Sequence, residues 1–182
     1  MPLPRFEFED IPYLRFELGG ESTGVRRVEQ AVSRAVRLFE AAIPPGHRGF
    51  LDAYLWPPGD LAHRSGAEAQ LIQLLPEAAQ ASATRVSLGE DESEGGAVRR
   101  LTAALDLRQL DYRSLFRLIA NDELGLEPAV GARVYLIDES DPLVFHMYDD
   151  RGAIVHAPSA GRLRPLYESA RDWVVDRDRN SR

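Results

Sequence analysis

The 182-residue chain contains no cysteine and, among its 22 basic residues, no lysine. Without cysteine, disulfide frameworks, cysteine-ligated zinc sites and thiol nucleophiles are excluded. Without lysine, Schiff-base catalysis and lysine-dependent phosphate loops are excluded, because both need the side-chain amine. Every basic residue is therefore an arginine, whose guanidinium group stays charged and forms forked hydrogen bonds.

The sequence also has no apolar run long enough to span a membrane, which takes about 18 residues. Its N-terminus shows no apolar stretch behind a basic flank, so no signal peptide is predicted and the expected location is cytoplasmic. A net charge of −7 argues against a general nucleic-acid binder or a protein that binds anionic membranes.

The composition is that of an ordinary globular protein, with 44% hydrophobic and 28% charged residues. A chain of this length suits one domain, so a single domain over residues 1–182 is predicted. Four acidic residues and three glycines fall within residues 89–96. Such a segment cannot enter a core, and it predicts an exposed acidic loop.

Hydrophobic periodicity predicts an α+β fold, a mostly antiparallel sheet with helices packed on one face. Alternation with period two predicts strands at 13–18, 50–56, 84–88, 99–107, 134–138, 143–148 and 153–157. Apolar residues at helical spacing predict helices at 24–43, 67–75, after Asp111, and at 162–176.

Several segments resemble a bacterial family known as domain of unknown function 3885. They are residues 15–19 (Arg-Phe-Glu-Leu-Gly), 143–152 (Leu-Val-Phe-His-Met-Tyr-Asp-Asp-Arg-Gly), 163–167 and 173–179. The similarity is densest over about residues 111–179. The resemblance implies a small intracellular bacterial protein. No activity is established for the family, so the resemblance implies no catalytic residue.

The turn Asp149-Asp150-Arg151-Gly152 lies between two predicted strands. Its composition predicts a type I turn followed by Gly152 in the left-handed conformation of a bulge. The turn is interpreted either as purely structural or as a solvent-facing binding tip formed by Asp149, Asp150 and Arg151. If the tip faces solvent, Asp150→Asn and Arg151→Ala are expected to leave stability almost unchanged.

His146 and His156 lie on the two strands of this hairpin. With a three-residue bulged loop, Asp149 pairs with Ala153, which places His146 opposite His156. Two imidazoles about 5 Å apart could bind a metal or share a proton as a pH-sensitive pair. A two-residue loop would separate them and leave two ordinary, partly buried histidines. His47 has no predicted partner.

Arg26, Arg27, Arg34 and Arg37 share one face of the first predicted helix. We call this set the arginine stripe. It is either a solvated helix face or a docking surface for an acidic protein or for phosphates. Because the chain is acidic overall, a protein partner is favoured over nucleic acid.

No glycine-rich nucleotide loop, zinc-protease helix or nucleophile elbow occurs in the sequence, and no cofactor is predicted. The preferred interpretation is a non-enzymatic protein-interaction module, such as a toxin-neutralising or accessory protein, with an acidic or basic protein partner and no membrane partner. The alternatives are a small enzyme that uses the histidine pair or a metal at hairpin 143–157, and nucleic-acid binding through the arginine stripe. The sequence predicts no oligomeric state.

Overall fold

A computed structural model describes residues 11–56, 66–91 and 96–175. The strands are β1 (Tyr13–Glu17), β2 (Arg48–Leu55), β3 (Thr84–Asp91), β4 (Gly96–Asp106), β5 (Ala132–Asp138), β6 (Leu143–Met147) and β7 (Gly152–His156). The helices are α1 (Gly24–Ala42), α2 (Ala67–Gln73), α3 (Glu77–Ser82), α4 (Tyr112–Glu123) and α5 (Ala160–Ser169). Short 3-10 turns occupy Leu107–Gln109 and Arg171–Trp173.

The seven strands form one sheet in the order β1-β7-β6-β5-β2-β4-β3. Every neighbouring pair is antiparallel. The predicted α+β class with a mostly antiparallel sheet is therefore confirmed. Strand β2, the second in the chain, lies inside the sheet between β4 and β5.

One face of the sheet carries the hydrophobic core. Alternate strand residues such as Phe16, Leu51, Leu101, Leu136 and Phe145 are almost completely buried on this face. They form one cluster with the apolar residues of all five helices. Among the described residues, the helices thus pack on one side of the sheet, as the period-two and helical patterns predict.

The structure differs from the sequence-based prediction at the chain segments around Pro76 and Ala170. The helix predicted at 67–75 ends at Gln73, and Pro76 precedes a second short helix, α3, which the sequence pattern did not predict. The last helix ends at Ser169, because the chain then forms a 3-10 turn and Val174 pairs with Phe16 of β1. Strand pairing therefore replaces the last predicted turns of the helix.

The predicted acidic loop at 89–96 is shorter than its composition suggests. Strand β3 continues through Asp91 and β4 begins at Gly96, with a bulge between Ser87 and Glu90. Residues 92–95 lie outside the described part of the chain.

None of the helices in the described ranges is both long enough and apolar enough to cross a membrane.

Candidate functional site

The hairpin between β6 and β7 has a different register from the predicted one. Tyr148 donates its backbone N–H to the carbonyl of Gly152, which closes a three-residue loop over Asp149–Arg151. His146 therefore lies opposite Ile154, and His156 lies opposite Val144. The prediction that the two histidines face each other is wrong. They share a face of the sheet but stand diagonally across the strand pair.

Gly152 also differs from its predicted conformation. Its φ is not positive, so it is not the left-handed residue of a bulge. A Cβ atom at this position would instead overlap the Tyr148 hydroxyl and lie 2.7 Å from the carbonyl oxygen of Phe16. Glycine is required here because the Tyr148 ring and β1 approach the backbone too closely for a side chain.

The turn residues do not form a solvent-facing tip, although Arg151 is exposed. Asp149 accepts hydrogen bonds from the backbone N–H and the guanidinium of Arg151. Asp150 is only 1% exposed and forms an ion pair with Arg27 of α1. The backbone carbonyl of Arg151 accepts the N–H of Leu18, the residue after β1, at 2.8 Å. The turn is thus packed against α1 and the end of β1.

An Asp150→Asn variant is accordingly expected to lose about 1–2 kcal/mol of stability, because it removes the charge that pairs with Arg27. An almost neutral change at Asp150 was predicted for a solvent-facing tip, and the burial of Asp150 contradicts that condition. Arg151→Ala is the control, since the Arg151 side chain is 60% exposed. Urea unfolding of the wild type and both variants checks the difference. An Asp150→Asn protein with the same unfolding midpoint as the wild type would show that the Asp150–Arg27 pair contributes nothing to stability.

The arginine stripe is partly used inside the molecule. Arg27 pairs with Asp150, and Arg34 donates to the backbone carbonyl of Glu17 at 3.2 Å. The guanidinium carbons of Arg34 and Arg37 lie 5.2 and 5.1 Å from the centre of the Trp173 ring. Arg26 is exposed. Of the four residues of the stripe, Arg27 thus pairs with the buried Asp150, Arg34 and Arg37 lie against Trp173, and Arg26 has neither contact.

The face of the sheet opposite the helices carries a second set of aromatic and charged side chains. Strand alternation and register place aromatic and charged residues together on it. We call this surface the open face; the residues on it include Tyr13, Arg15, Glu17, Phe50, Asp52, Tyr54, Trp56, Arg100, Thr102, Arg133, Tyr135, Ile137, Val144, His146, Tyr148, Ile154 and His156. No described helix packs on it.

Four rings on the open face form a row across the three strands β2, β5 and β6. Tyr54 contacts Tyr135 edge-on with ring centres 6.0 Å apart, and Tyr135 lies 4.5 Å from His146. His146 in turn is 6.3 Å from Tyr148. Offset and edge contacts of this kind are favourable and hold each ring in a fixed orientation. The open face is therefore a preorganised aromatic surface.

Arginines lie beside three of these rings. The guanidinium carbon of Arg15 is 5.5 Å from the centre of the Tyr148 ring, and that of Arg100 is 5.6 Å from Tyr54. Arg133 lies 5.2 Å from the centre of the Trp56 ring. At these distances each cation is attracted to the electron-rich ring face. The open face thus combines aromatic area with fixed positive charge.

One carboxylate on the open face is buried and fully engaged. Asp52 accepts two bonds of 2.7 Å from Arg100 and one of 3.1 Å from Thr102. The forked Arg100–Asp52 pair is the geometry that guanidinium and carboxylate groups favour. It fixes the central part of the open face and neutralises the charge of Arg100.

Both hairpin histidines are held in the neutral form by their surroundings. Burial lowers the pKa of His146 to about 4, against the opposing effect of its hydrogen bond to the Val134 carbonyl. The Nδ1 atom donates that bond at 2.8 Å. Burial also lowers the pKa of His156. Near neutral pH the open face therefore gains no charge from these rings.

His47 forms a pair with Asp138 that the sequence analysis did not foresee. Nδ1 of His47 lies 2.7 Å from a carboxylate oxygen of Asp138, which is fully buried. Asp138 also accepts the backbone N–H groups of Ser140 and Asp141. The pair joins the beginning of β2 to the end of β5. The two residues are 91 positions apart, so local spacing gave no signal for it.

No three His, Asp or Glu side chains gather as a metal-binding group within the described ranges. His63 lies outside those ranges.

Comparison with known proteins identifies the family but gives no activity. The family model described as Domain of unknown function (DUF3885) matches residues 4–178. The chain belongs to this family. The chain is also similar to the uncharacterised protein YnaE of Bacillus subtilis (strain 168), with 33% identity over 75 residues. That alignment covers 38% of this chain and 35% of YnaE. No solved structure matches.

Two of the segments that carry the DUF3885 resemblance lie close together in the sheet. Residues 15–19 continue from β1, which pairs with β7, and residues 143–152 form β6 and the hairpin loop. Their contact includes the Arg15–Tyr148 hydrogen bond of 3.2 Å on the open face. The family-like segments therefore build one edge of the sheet and the adjoining part of the open face.

Proposed function

We propose that this protein is a non-enzymatic protein-interaction module that recognises an acidic segment of its partner through the open face. The observation that supports the proposal is the repeated arginine–ring contact on one surface, at Arg15–Tyr148, Arg100–Tyr54 and Arg133–Trp56. Tyrosine, tryptophan and arginine are the residues that contribute most of the binding energy in protein interfaces.

The charge of the open face selects the kind of partner. Asp52 neutralises Arg100, whereas no described carboxylate forms an ion pair with Arg15 or Arg133. Arg133 is exposed and Arg15 is partly exposed. Two guanidinium groups that form no ion pair with a described carboxylate favour a partner with carboxylates at matching positions. A basic partner would be repelled there.

The rigidity of the surface supports a binding function as well. The rings stand on adjacent antiparallel strands, and the buried Asp52 binds Arg100 and Thr102 on the same face. A surface that is ordered before binding loses little conformational entropy in the complex. Stacking rings could also hold bases of a single-stranded nucleic acid, so nucleic acid is the competing result in the experiment below.

Fluorescence anisotropy with a fluorescein-labelled Glu–Tyr copolymer tests the proposal. Arg133→Ser is expected to weaken binding about fivefold to tenfold, because an exposed guanidinium with its ring contact is lost. Arg117→Ser is the matched control, since Arg117 is an exposed arginine on α4 in the helix layer. This control should change the affinity less than about twofold.

Two results would contradict the proposed function. One is equal weakening of copolymer binding by Arg133→Ser and Arg117→Ser, which would show attraction to net charge alone. The other is tighter binding of a fluorescein-labelled oligothymidylate that is weakened by the same Arg133→Ser change. That result would assign the open face to single-stranded nucleic acid.

A further inference from the structure

Two guanidinium groups of α1 are held against a single indole ring. Arg34 and Arg37 lie one helical turn apart, and both guanidinium carbons are within 5.2 Å of the centre of the Trp173 ring. Trp173 belongs to the 3-10 turn after α5 and packs against the core. The two cations are therefore neighbours in a fixed arrangement.

The chain next to Trp173 is anchored by strand pairing. Val174 pairs with Phe16 of β1, and the backbone N–H of Val175 donates to the Arg15 carbonyl at 3.0 Å. The indole is consequently positioned by the edge of the sheet rather than by the arginines alone. A site built on it would keep its shape before any ligand binds.

Neither guanidinium group has a carboxylate partner in the described part of the chain. Arg34 donates only to a backbone carbonyl, that of Glu17, and Arg37 is exposed. Most other partly buried arginines are paired, for example Arg27 with Asp150 and Arg162 with Asp141. Like charges three residues apart on a helix repel each other. In a protein of net charge −7, two neighbouring arginines without a carboxylate partner among the described residues are unusual.

The chemistry of the pair favours a phosphate group. Each guanidinium presents a planar fork of N–H donors that matches two phosphate oxygens. A phosphomonoester carries about −1.5 to −2 charges at pH 7, which two arginines can neutralise together. A carboxylate carries one charge and two oxygens, so it would engage only one of them. The indole edge beside the cations provides apolar contact for an aromatic ester group.

We propose that Arg34, Arg37 and Trp173 form a binding site for a phosphomonoester dianion, preferably an aryl phosphate. The site lies on the helix side of the molecule, separate from the open face. It includes Arg34 and Arg37, two of the four residues of the arginine stripe. The proposal does not depend on the proposed binding of a protein partner at the open face.

Trp173 fluorescence provides the test. The chain has two tryptophans, so a Trp56→Phe background isolates the signal of Trp173. Phenyl phosphate is expected to change this emission in a saturable way, and benzoate, an aromatic monoanion, is expected to bind at least about tenfold more weakly. Inorganic phosphate should bind more weakly than phenyl phosphate, because it makes no contact with the indole.

Variants on the same helix locate the site. Arg37→Gln should weaken phenyl phosphate binding at least about tenfold, and Arg37→Lys should restore part of the affinity, because the charge returns without the fork. Arg26→Gln is the matched control, since Arg26 is exposed on α1 without a contact to Trp173. Melting curves verify that each variant is folded; Arg37 is exposed, so no loss of fold is expected.

A phosphotyrosine peptide compared with free phenyl phosphate distinguishes a phosphorylated protein from a small metabolite as the source of the ligand. The proposal is overturned by a non-saturable response, by benzoate binding as tightly as phenyl phosphate, or by equal weakening in Arg26→Gln and Arg37→Gln. A variant that no longer binds phenyl phosphate should still bind the copolymer at the open face. Failure of this proposal can therefore be distinguished from failure of the proposed function.

Discussion

A Gly152→Ala variant is expected to lower the free energy of unfolding by at least about 2 kcal/mol, and the melting temperature by about 4–8 °C. The added Cβ would lie 2.6 Å from Cζ of Tyr148 and 2.7 Å from the carbonyl oxygen of Phe16. The ring can turn away at a cost, but the carbonyl belongs to the backbone of β1. Gly152→Val should be more destabilising still, because it adds two methyl groups in the same space.

Gly161→Ala is the control for this experiment. A Cβ there meets only the Ser159 hydroxyl at 3.8 Å, so alanine should be neutral or slightly stabilising in α5. Adding Tyr148→Ala to Gly152→Ala should recover part of the lost stability relative to Tyr148→Ala alone. Thermal unfolding compares the wild type with Gly152→Ala, Gly161→Ala, Tyr148→Ala and the double variant. No coupling between residues 148 and 152 would show that the close approach of the ring is not the reason for the glycine.

His146 is expected to reduce stability by about 3 kcal/mol as the pH falls from 6.5 to 4. Its pKa is about 4 in the folded protein, because burial disfavours the charged ring, and about 6.5 in the unfolded chain. Below pH 6.5 the unfolded state binds the proton and the folded state does not. Stability is therefore complete above pH 6.5 and is lost progressively as the pH approaches 4.

Urea unfolding at several pH values checks this effect in the wild type and in His146→Asn. The Asn amide can still donate to the Val134 carbonyl but does not titrate. The variant should be less stable at pH 7, since it loses the ring contact with Tyr135, and should lose less stability on acidification. Parallel curves for the two proteins between pH 6.5 and 4 would contradict the assigned pKa of His146.

Local sequence patterns were sufficient to predict most elements of the fold. Alternating apolar residues located β1 with Leu14 and Phe16 buried, and helical spacing located α1 within one residue of its observed end. Asp111 caps α4 by accepting the backbone N–H of Ser114, as its position before an apolar helical pattern predicts. These features depend on residues close in sequence, which is why periodicity and capping rules recover them.

The hairpin shows where local rules fail. Turn composition predicted an exposed tip with Gly152 in the left-handed region, but Asp150 is drawn inward by Arg27, 123 residues away. The loop consequently closes one residue earlier, and the pairing of His146 moves from His156 to Ile154. The observed register goes together with the ion pair between Asp150 and Arg27. The sequence of the turn does not indicate where Arg27 lies.

The candidate sites were only partly predictable for the same reason. The arginine stripe was visible as a helical pattern, yet the contact of Arg34 and Arg37 with Trp173 depends on where the segment after α5 returns to β1. The open face had a weak signal, since Phe50 and Tyr54 alternate with the buried residues of β2. Its assembly required the order of the strands, which the sequence pattern does not specify.

Amide chemical-shift mapping during titration with the Glu–Tyr copolymer is the most direct test of recognition by the open face. The largest shifts are expected in β2, β5 and β6, around Tyr54, Arg133 and Tyr148, and they should diminish as salt is added. Backbone amides of α4 should not move. Shifts concentrated on α1 or α4, or spread evenly over the surface, would contradict the assignment of the open face as the partner-binding surface.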